Sequence, residues 1–152
     1  MGDFTGHLDR FRGVTFVNDE ARSYIARLDG QFDIIQVSFI DTWAATAAGA
    51  FTLAGNSLYT VEAWNLFLER LTPNGILSFS RWCFPNLPGE AYRLTCLTAA
   101  LARQGTESPR QHIVLVRKLH QEEDGARLSG VGAILLSKMP FSEQQRAYSS
   151  SR

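Results

Sequence analysis

The sequence predicts an α/β fold built on a mostly parallel sheet, and three features of the chain support this prediction. Through most of the chain, segments with strand character alternate with segments of helical periodicity, which is typical of β-α-β units. Residues 32–39 are largely apolar on both faces, as expected of a central parallel strand. Near the carboxyl end, residues 112–118 and 131–137 predict two strands with no helix between them. We therefore expect a partial Rossmann-like sheet that ends in an antiparallel hairpin.

The first elements are predicted from the spacing of the apolar residues. Residues 14–17 form a short strand and residues 20–28 a helix, followed by the strand at 32–39, which we expect to be the most deeply buried. Thr60 can cap the next helix, because its hydroxyl oxygen can accept a hydrogen bond from a free amide of the first turn. The apolar stripe of that helix ends at Leu71.

The later elements complete the alternation and then depart from it. A strand, a helix, the two strands of the hairpin and a terminal helix are predicted in that order, over residues 76–80, 90–103, 112–118, 131–137 and 141–148. Residues 149–152 are polar and are expected to be frayed. The chain is therefore predicted to contain a single domain over residues 1–152.

The amino-terminal part lacks a sequence that a complete Rossmann-like domain would have. Such a domain binds its nucleotide at a glycine-rich turn after the first strand, with an acidic residue at the end of the second. No Gly-x-Gly-x-x-Gly pattern occurs before Val14, where the sequence offers residues 1–13. We expect the first two strands and the glycine-rich loop to lie upstream, so that the domain is partial.

The composition excludes several classes of partner and site. The 15 basic and 15 acidic residues give a net charge of +0, and no basic cluster interleaves with aromatic residues, so a nucleic-acid partner is not expected. The cysteines are too few, and His7, His112 and His120 too irregularly spaced, to predict a metal site. No apolar run has a membrane-spanning length, which predicts a cytoplasmic protein unless an upstream region adds membrane spans. The expected partners are small molecules.

Polar residues stand at the ends of three predicted strands. Residues 18–19 (Asn-Asp) follow the first strand, residues 38–41 (Ser-Phe-Ile-Asp) close the second, and residues 80–82 (Ser-Arg-Trp) close the third. Ligands of open α/β sheets bind beyond the carboxyl ends of the parallel strands. We therefore expect these three segments to converge on one ligand-binding rim.

Three runs of sequence resemble a known family. They are Phe-Asp-Ile-Ile-Gln-Val-Ser-Phe-Ile-Asp at 32–41, Asn-Ser-Leu-Tyr-Thr-Val-Glu-Ala-Trp at 56–64 and Leu-Thr-Pro-Asn-Gly-Ile-Leu at 71–77. These runs are similar to the polyamine aminopropyltransferases, the spermidine synthases, which have an Asp-x-x-Asp loop after a hydrophobic strand, a Leu-Phe/Tyr-Thr helix start and Leu-x-Pro-Gly-Gly before the next strand. The resemblance covers roughly residues 14–80. It implies a partial class I transferase domain, with S-adenosylmethionine or its decarboxylated form as donor and an amine or other small molecule as acceptor.

The resemblance implies roles for four residues. Asp19 stands where the family has the acidic residue that contacts the adenine of the cofactor, and Asn18 replaces the glycine before it. Asp41 matches the second aspartate of the loop, which holds and orients the attacking amine, so Asp41 is the predicted catalytic residue and also binds substrate. Ser38 replaces the first aspartate, which helps to remove the proton of the amine. Asn18, Asp19 and Ser38 are the predicted cofactor-binding residues.

Two further residues are predicted to bind the substrate. Trp43 lies in the segment 41–56, which takes the place of the family's substrate-covering loop, and its ring can close over an apolar part of a ligand. Arg81 follows a predicted strand at the rim. Simpler roles stay open, since Asp19 can cap the helix that follows it and Arg81 can pair with Asp41.

Three functions are open at this point. The chain is predicted to be a spermidine synthase-like transferase segment, yet the hydroxyl of Ser38 cannot take up a proton near neutral pH as a carboxylate can. The alternatives are a non-catalytic remnant or interaction module with the same fold, and a small-molecule methyltransferase. Without the upstream strands, the strand at 32–39 exposes an apolar edge, which predicts a homodimer or pairing with an upstream half.

Overall fold

The computed structural model describes residues 6–39, 56–83, 89–105, 107–121 and 128–148. Within these ranges the helices and strands are, in chain order, α1 (Ala21–Arg27), β1 (Phe32–Ser38), α2 (Val61–Glu69), β2 (Leu71–Trp82), α3 (Gly89–Gly105), β3 (Ile113–Gln121), β4 (Leu128–Ser137) and α4 (Glu143–Tyr148). Single turns of 3-10 helix lie at Leu8–Arg10, Asn56–Leu58 and Pro109–Gln111. None of the helices in these ranges is long and apolar enough to cross a membrane.

The strands form one mixed sheet in the order β1-β2-β4-β3. β1 and β2 are parallel, whereas β4 pairs antiparallel with β2 on one side and with β3 on the other. The α/β class is therefore confirmed, and so is the antiparallel hairpin of β3 and β4. The expectation of a mostly parallel sheet is wrong for the described residues, because β4 inserts between β2 and β3 and makes both of its own pairings antiparallel.

The predicted strand at residues 14–17 does not form. These residues are irregular and exposed throughout, and Phe16 is 67% exposed. A strand needs a neighbour for its backbone hydrogen bonds, and the described sheet ends at β1. Asn18 and Asp19 consequently do not follow a strand.

β1 lies at an edge of the described sheet, and the prediction that it is the most deeply buried strand is wrong. Ile35 and Val37 are buried, but Ile34 is 63% exposed. β2 takes the inner position between β1 and β4, and it begins at Leu71, opposite Phe32, earlier than predicted. From its apolar residues, β1 was expected to be covered by other elements on both faces. The packed core, which includes α2 and α3, lies on one face.

Two helices begin where a side chain can bond to their free amides. Glu20 caps α1 by accepting hydrogen bonds from the amides of Arg22 and Ser23 at 3.2 and 2.7 Å. Thr60 caps α2, as predicted, by accepting a hydrogen bond from the amide of Ala63 at 3.2 Å. These bonds satisfy amides that have no partner inside a helix. All four predicted helices form, with their ends shifted by a few residues.

The strand register divides the sheet into two faces, since directly opposite residues of paired strands project to the same side. The side that packs on α2 and α3, here called the helix face, comprises Ile35, Val37, Leu77, Phe79, Ile134 and Leu136. The other side of β1, β2 and β4, here called the open face, includes Ile34, Gln36, Ser38, Ile76, Ser78, Ser80, Trp82, Val131, Ala133 and Leu135. Trp64 of α2 is fully buried and stacks on Phe79 with 4.2 Å between ring centroids, so the core lies between the helix face and the helices.

Candidate functional site

The carboxyl ends of β1 and β2 lie side by side. Ser38, the last residue of β1, is opposite Ser80 of β2, and β2 continues to Trp82. The structure thus brings together two of the three predicted strand ends. The third, at residues 18–19, belongs to no strand in the described part of the chain.

Two exposed aromatic rings meet at this edge. The rings of Phe39 and Trp82 lie 5.1 Å apart between centroids and are tilted by 58°. Phe39 is 41% exposed and Trp82 is 53% exposed. This pair, here called the aromatic corner, presents two apolar surfaces at an angle to each other and open to solvent.

The backbone at Phe39 turns its ring toward the open face. Side chains alternate along a strand, so a regular continuation of β1 would direct Phe39 to the helix face. Phe39 instead has a φ of 49°, in the left-handed region, and its ring contacts Trp82 of the open face. Its amide donates a hydrogen bond to the carbonyl of Ser80 at 3.2 Å. A left-handed conformation costs a residue other than glycine roughly 1–2 kcal/mol. The surrounding fold must offset this cost for the ring of Phe39 to lie against Trp82.

Small uncharged polar groups lie beside the aromatic corner on the open face. Gln36 and Ser38 of β1 are opposite Ser78 and Ser80 of β2. The Gln36 side-chain amide donates a hydrogen bond to the Ser38 hydroxyl at 2.9 Å, and both residues are exposed. These four residues, here called the polar patch, can both donate and accept hydrogen bonds and are spaced about 4.8 Å apart across the strands.

Arg81 lies on the side of the sheet opposite Trp82. Its guanidinium stacks over the ring of Tyr59, with Cζ 4.6 Å from the ring centroid. Tyr59 in turn packs against Phe79 with 5.7 Å between ring centroids. Arg81 is therefore held at the carboxyl end of the helix face, and its predicted contact with substrate stays a prediction.

Asp19 and Asn18 lie at the start of α1. The Asp19 carboxylate accepts a hydrogen bond from the amide of Glu20 at 2.8 Å and forms an ion pair with Arg27. Glu20 lies near the start of α2, where the hydroxyl of Ser57 donates to its carboxylate at 3.5 Å. Both contacts of Asp19 are with residues at α1. Its predicted contact with a cofactor stays a prediction.

Two predicted site residues, Asp41 and Trp43, lie outside the described residues. Their predicted roles in catalysis and substrate binding therefore stay predictions. Among the side chains that the structure describes, no group of three His, Cys, Asp or Glu residues is arranged to hold a metal ion.

Phe39 and Gln36 were not predicted from the sequence as site residues. A signal for the polar patch was present, because small polar residues recur at alternate positions in both strands, at 36 and 38 and at 78 and 80. Such a period of two indicates one face that is not part of the core. The aromatic corner had no comparable signal, because it depends on the register of β1 with β2 and on the backbone of Phe39.

Comparison with known proteins identifies no family for this chain. No family model matches it, and no curated protein matches it. The chain is similar to a solved structure from Methanobacterium thermoautotrophicum titled precorrin 8W decarboxylase, with 14% sequence identity and a TM-score of 0.46. The likeness covers 88% of this chain and 61% of that one, so this chain spans less than two thirds of the length of that protein. A likeness at this level assigns no function.

The resemblance to the spermidine synthases is wrong by these comparisons. No family model or curated relative supports it, and the similar solved structure bears the name of a different enzyme. The predicted transferase functions, by aminopropyl or methyl transfer, are wrong with it. The run at 71–77 has a packing explanation, because a Cβ on Gly75 would lie 2.9 Å from the Cβ of Leu71 and from the carbonyl oxygen of Phe32. These close contacts explain the glycine at this position without reference to a function.

Proposed function

We propose that the open face at the carboxyl ends of β1 and β2 binds a small uncharged ligand that has one flat apolar side bordered by hydroxyl or amide groups. The observation that carries this proposal is the aromatic corner, exposed and held by a strained backbone beside the polar patch. Strained residues that the surrounding structure holds in place concentrate at functional sites.

The chemistry of the edge favours a ligand of this kind. Exposed aromatic surface is stabilised when an apolar surface covers it, by about 25 cal/mol per Å² of area removed from water, and flat ligands stack well on tryptophan. Gln36, Ser38 and Ser80 offer neutral donors and acceptors, which match hydroxyl and amide groups without the desolvation of a charge. Lys118, the nearest cation by strand register on the open face, stands two strands from Trp82, about 10 Å away.

The position of the site supports a Rossmann-like interpretation of the β1-α2-β2 unit, in which ligands bind beyond the carboxyl ends of the parallel strands. That interpretation is part of the proposal, as are a cytoplasmic location and small-molecule partners. The nucleoside sulfonium cofactor depended on the resemblance to the spermidine synthases, and no contact of the described residues tests it.

An NMR titration with two probes tests the proposal. Methyl β-glucopyranoside and uridine share a flat apolar side bordered by hydroxyl groups, and they distinguish a sugar from a nucleoside as the source of that chemistry. We expect at least one probe to shift the indole N–H signal of Trp82 to saturation. Trp82→Ala should abolish binding and Ser80→Ala should weaken it by about threefold to tenfold, because a neutral hydrogen bond is lost.

A matched control separates the corner from any exposed ring. Phe16 is more exposed than Phe39 and lies outside the sheet, so Phe16→Ala should leave the affinity unchanged. The proposal fails if neither probe gives a saturable shift, or if Phe16→Ala and Trp82→Ala weaken binding equally.

A further inference from the structure

The sheet has two outer edges that carry no neighbouring strand among the described residues. β1 pairs with β2 alone, and β3 pairs with β4 alone. A free strand edge presents backbone N–H and C=O groups to which another chain can pair, and proteins commonly protect such edges with charged side chains, above all lysine. An edge that lacks this protection is therefore a site for association with another strand.

The two edges differ in charge. β3 carries two consecutive cations, Arg117 and Lys118, which project to opposite sides of the sheet and are both exposed. β1 has no cation, and its one carboxylate, Asp33, accepts a hydrogen bond from the Thr72 hydroxyl of β2 at 2.9 Å. Two copies of β3 would bring their cations together, whereas two copies of β1 bring no cations together. The β3 edge is therefore protected against pairing with itself, and the β1 edge is not.

β1 also exposes apolar surface beside its free edge. Ile34 projects to the open face and is 63% exposed, although Ile35 and Val37 on the other side of the strand are buried in the core. Gln36 and Ser38, on the same side as Ile34, are exposed too. A further strand beside β1 would remove part of this apolar surface from water, which stabilises the association.

The backbone of β1 directs alternate residues toward the free edge. Phe39 donates its amide to the Ser80 carbonyl, so the alternate residues before it also direct their amides to β2. The residues between them, Ile34, Gln36 and Ser38, direct their N–H and C=O groups away from β2. In an antiparallel pair, directly opposite residues of this kind exchange two hydrogen bonds. The edge is therefore complementary to a second copy of itself.

We propose that two copies of this chain pair through β1 as antiparallel strands across a two-fold axis, which joins their sheets into one. Gln36 lies opposite Gln36 of the partner subunit, and Ile34 lies opposite Ser38 of the partner subunit, so every outward backbone group is paired. Opposite residues project to the same side, so the open faces become continuous. Of the homodimer and the upstream half expected from the sequence, this symmetry favours the homodimer. One strand edge is a small interface, so we expect weak association, with a Kd of roughly 10–1,000 μM.

Sedimentation equilibrium of the full chain, from micromolar to millimolar concentration, tests the pairing. We expect a reversible monomer–dimer equilibrium in which hydrogen exchange at the amides of Ile34, Gln36 and Ser38 slows as the dimer forms. Gln36→Pro removes the outward amide of the central pair but no hydrogen bond between β1 and β2, and it should weaken the dimer by about tenfold or more. Gln36→Ala keeps that amide and should leave the affinity within about threefold.

Ile34→Lys and Val116→Lys are a matched pair that supplies the test if Gln36→Pro unfolds. Both residues are exposed and project to the open face, Ile34 from β1 and Val116 from β3. Ile34→Lys places a charge on the paired edge and should weaken the dimer by about tenfold or more, whereas Val116→Lys should leave it unchanged. The proposal is overturned if the chain stays monomeric at every concentration, if the amides at 34, 36 and 38 exchange equally fast in monomer and dimer, or if both lysine variants weaken the dimer equally.

Discussion

The helix face and the open face are built from the same strands but differ in composition and in cover. On the helix face, alternate residues of β1, β2 and β4 are aliphatic or aromatic and pack on α2 and α3. On the open face, β1 and β2 carry the opposed pair Ile34 and Ile76 and, toward their carboxyl ends, Gln36, Ser38, Ser78 and Ser80. Among the residues described, the rings of Phe39 and Trp82 at that edge are exposed. We therefore expect stability to depend mainly on the helix face, whereas the proposed ligand binds at the carboxyl edge of the open face.

The sharpest way to test this division is to remove one tryptophan from each face. Trp64 is fully buried, stacks on Phe79 at 4.2 Å and donates its indole N–H to the Leu58 carbonyl at 2.9 Å. We expect Trp64→Ala to lower the free energy of unfolding by about 3–5 kcal/mol, because it opens a cavity and leaves a carbonyl without its partner. Trp82→Ala should change it by less than about 1 kcal/mol. Urea unfolding followed by circular dichroism measures both, and equal losses would mean that the open face is as tightly packed as the core.

A smaller effect is expected from the two glycines of β4. Gly130→Ala forces a Cβ to 2.0 Å from the carbonyl oxygen of Lys118, so the β3-β4 backbone must move. We expect a loss of about 1–3 kcal/mol in the free energy of unfolding, as for other overpacked positions. Gly132→Ala meets ordinary contacts and should be close to neutral or slightly stabilising, since alanine is less flexible in the unfolded chain. Calorimetric melting of the two variants compares them, and equal losses for Gly130→Ala and Gly132→Ala would contradict this expectation.

The smallest effect concerns two acidic residues at the starts of α1 and α2. Hydrogen bonds from the Ser23 amide and hydroxyl, and from the Arg22 amide and the Ser57 hydroxyl, hold the pKa of Glu20 below its ordinary value near 4.5. Hydrogen bonds that the Glu62 carboxylate accepts from its own amide and from the Thr60 hydroxyl likewise lower the pKa of Glu62.

Because both pKa values are lower in the folded protein, the unfolded chain takes up protons first as the pH falls. The stability that these carboxylates contribute is present above about pH 4.5 and is lost as the pH falls through their folded pKa values. The denaturation midpoint should therefore decline on acidification, and less steeply in the Glu20→Gln/Glu62→Gln double variant. If the denaturation midpoint declined equally steeply with pH in the two proteins, this expectation would be contradicted. Both side chains are exposed, so the difference should be small.

The local elements were predictable to different degrees. Thr60 caps α2 as expected, because an N-cap depends on a few adjacent residues. The strand expected at residues 14–17 was wrong, since apolar residues favour a strand only if a neighbour supplies hydrogen bonds. Glu20 took the capping position at α1 for which Asp19 had been considered.

The candidate site was predictable in location but not in its residues. The polar ends of two strands at 38 and 80–82 do meet at the carboxyl edge, as the general rule for α/β sheets predicts. Asp19 instead bonds within the start of α1, and the roles of Asp41 and Trp43 stay predictions. The resemblance to the spermidine synthases was wrong. Gly75, a residue of the run at 71–77 that contributed to it, is explained by close packing on Leu71 and Phe32.

The sequence by itself determined the α/β class, the helices, the hairpin of β3 and β4 and the alternation of small polar residues in β1 and β2, because each depends on the periodicity of neighbouring residues. The tertiary structure decided that β4 inserts beside β2, that β1 lies at an edge and that the ring of Phe39 turns to meet Trp82. These features join residues far apart in the chain, and pairing at such distances is set by packing and register, which no local pattern specifies.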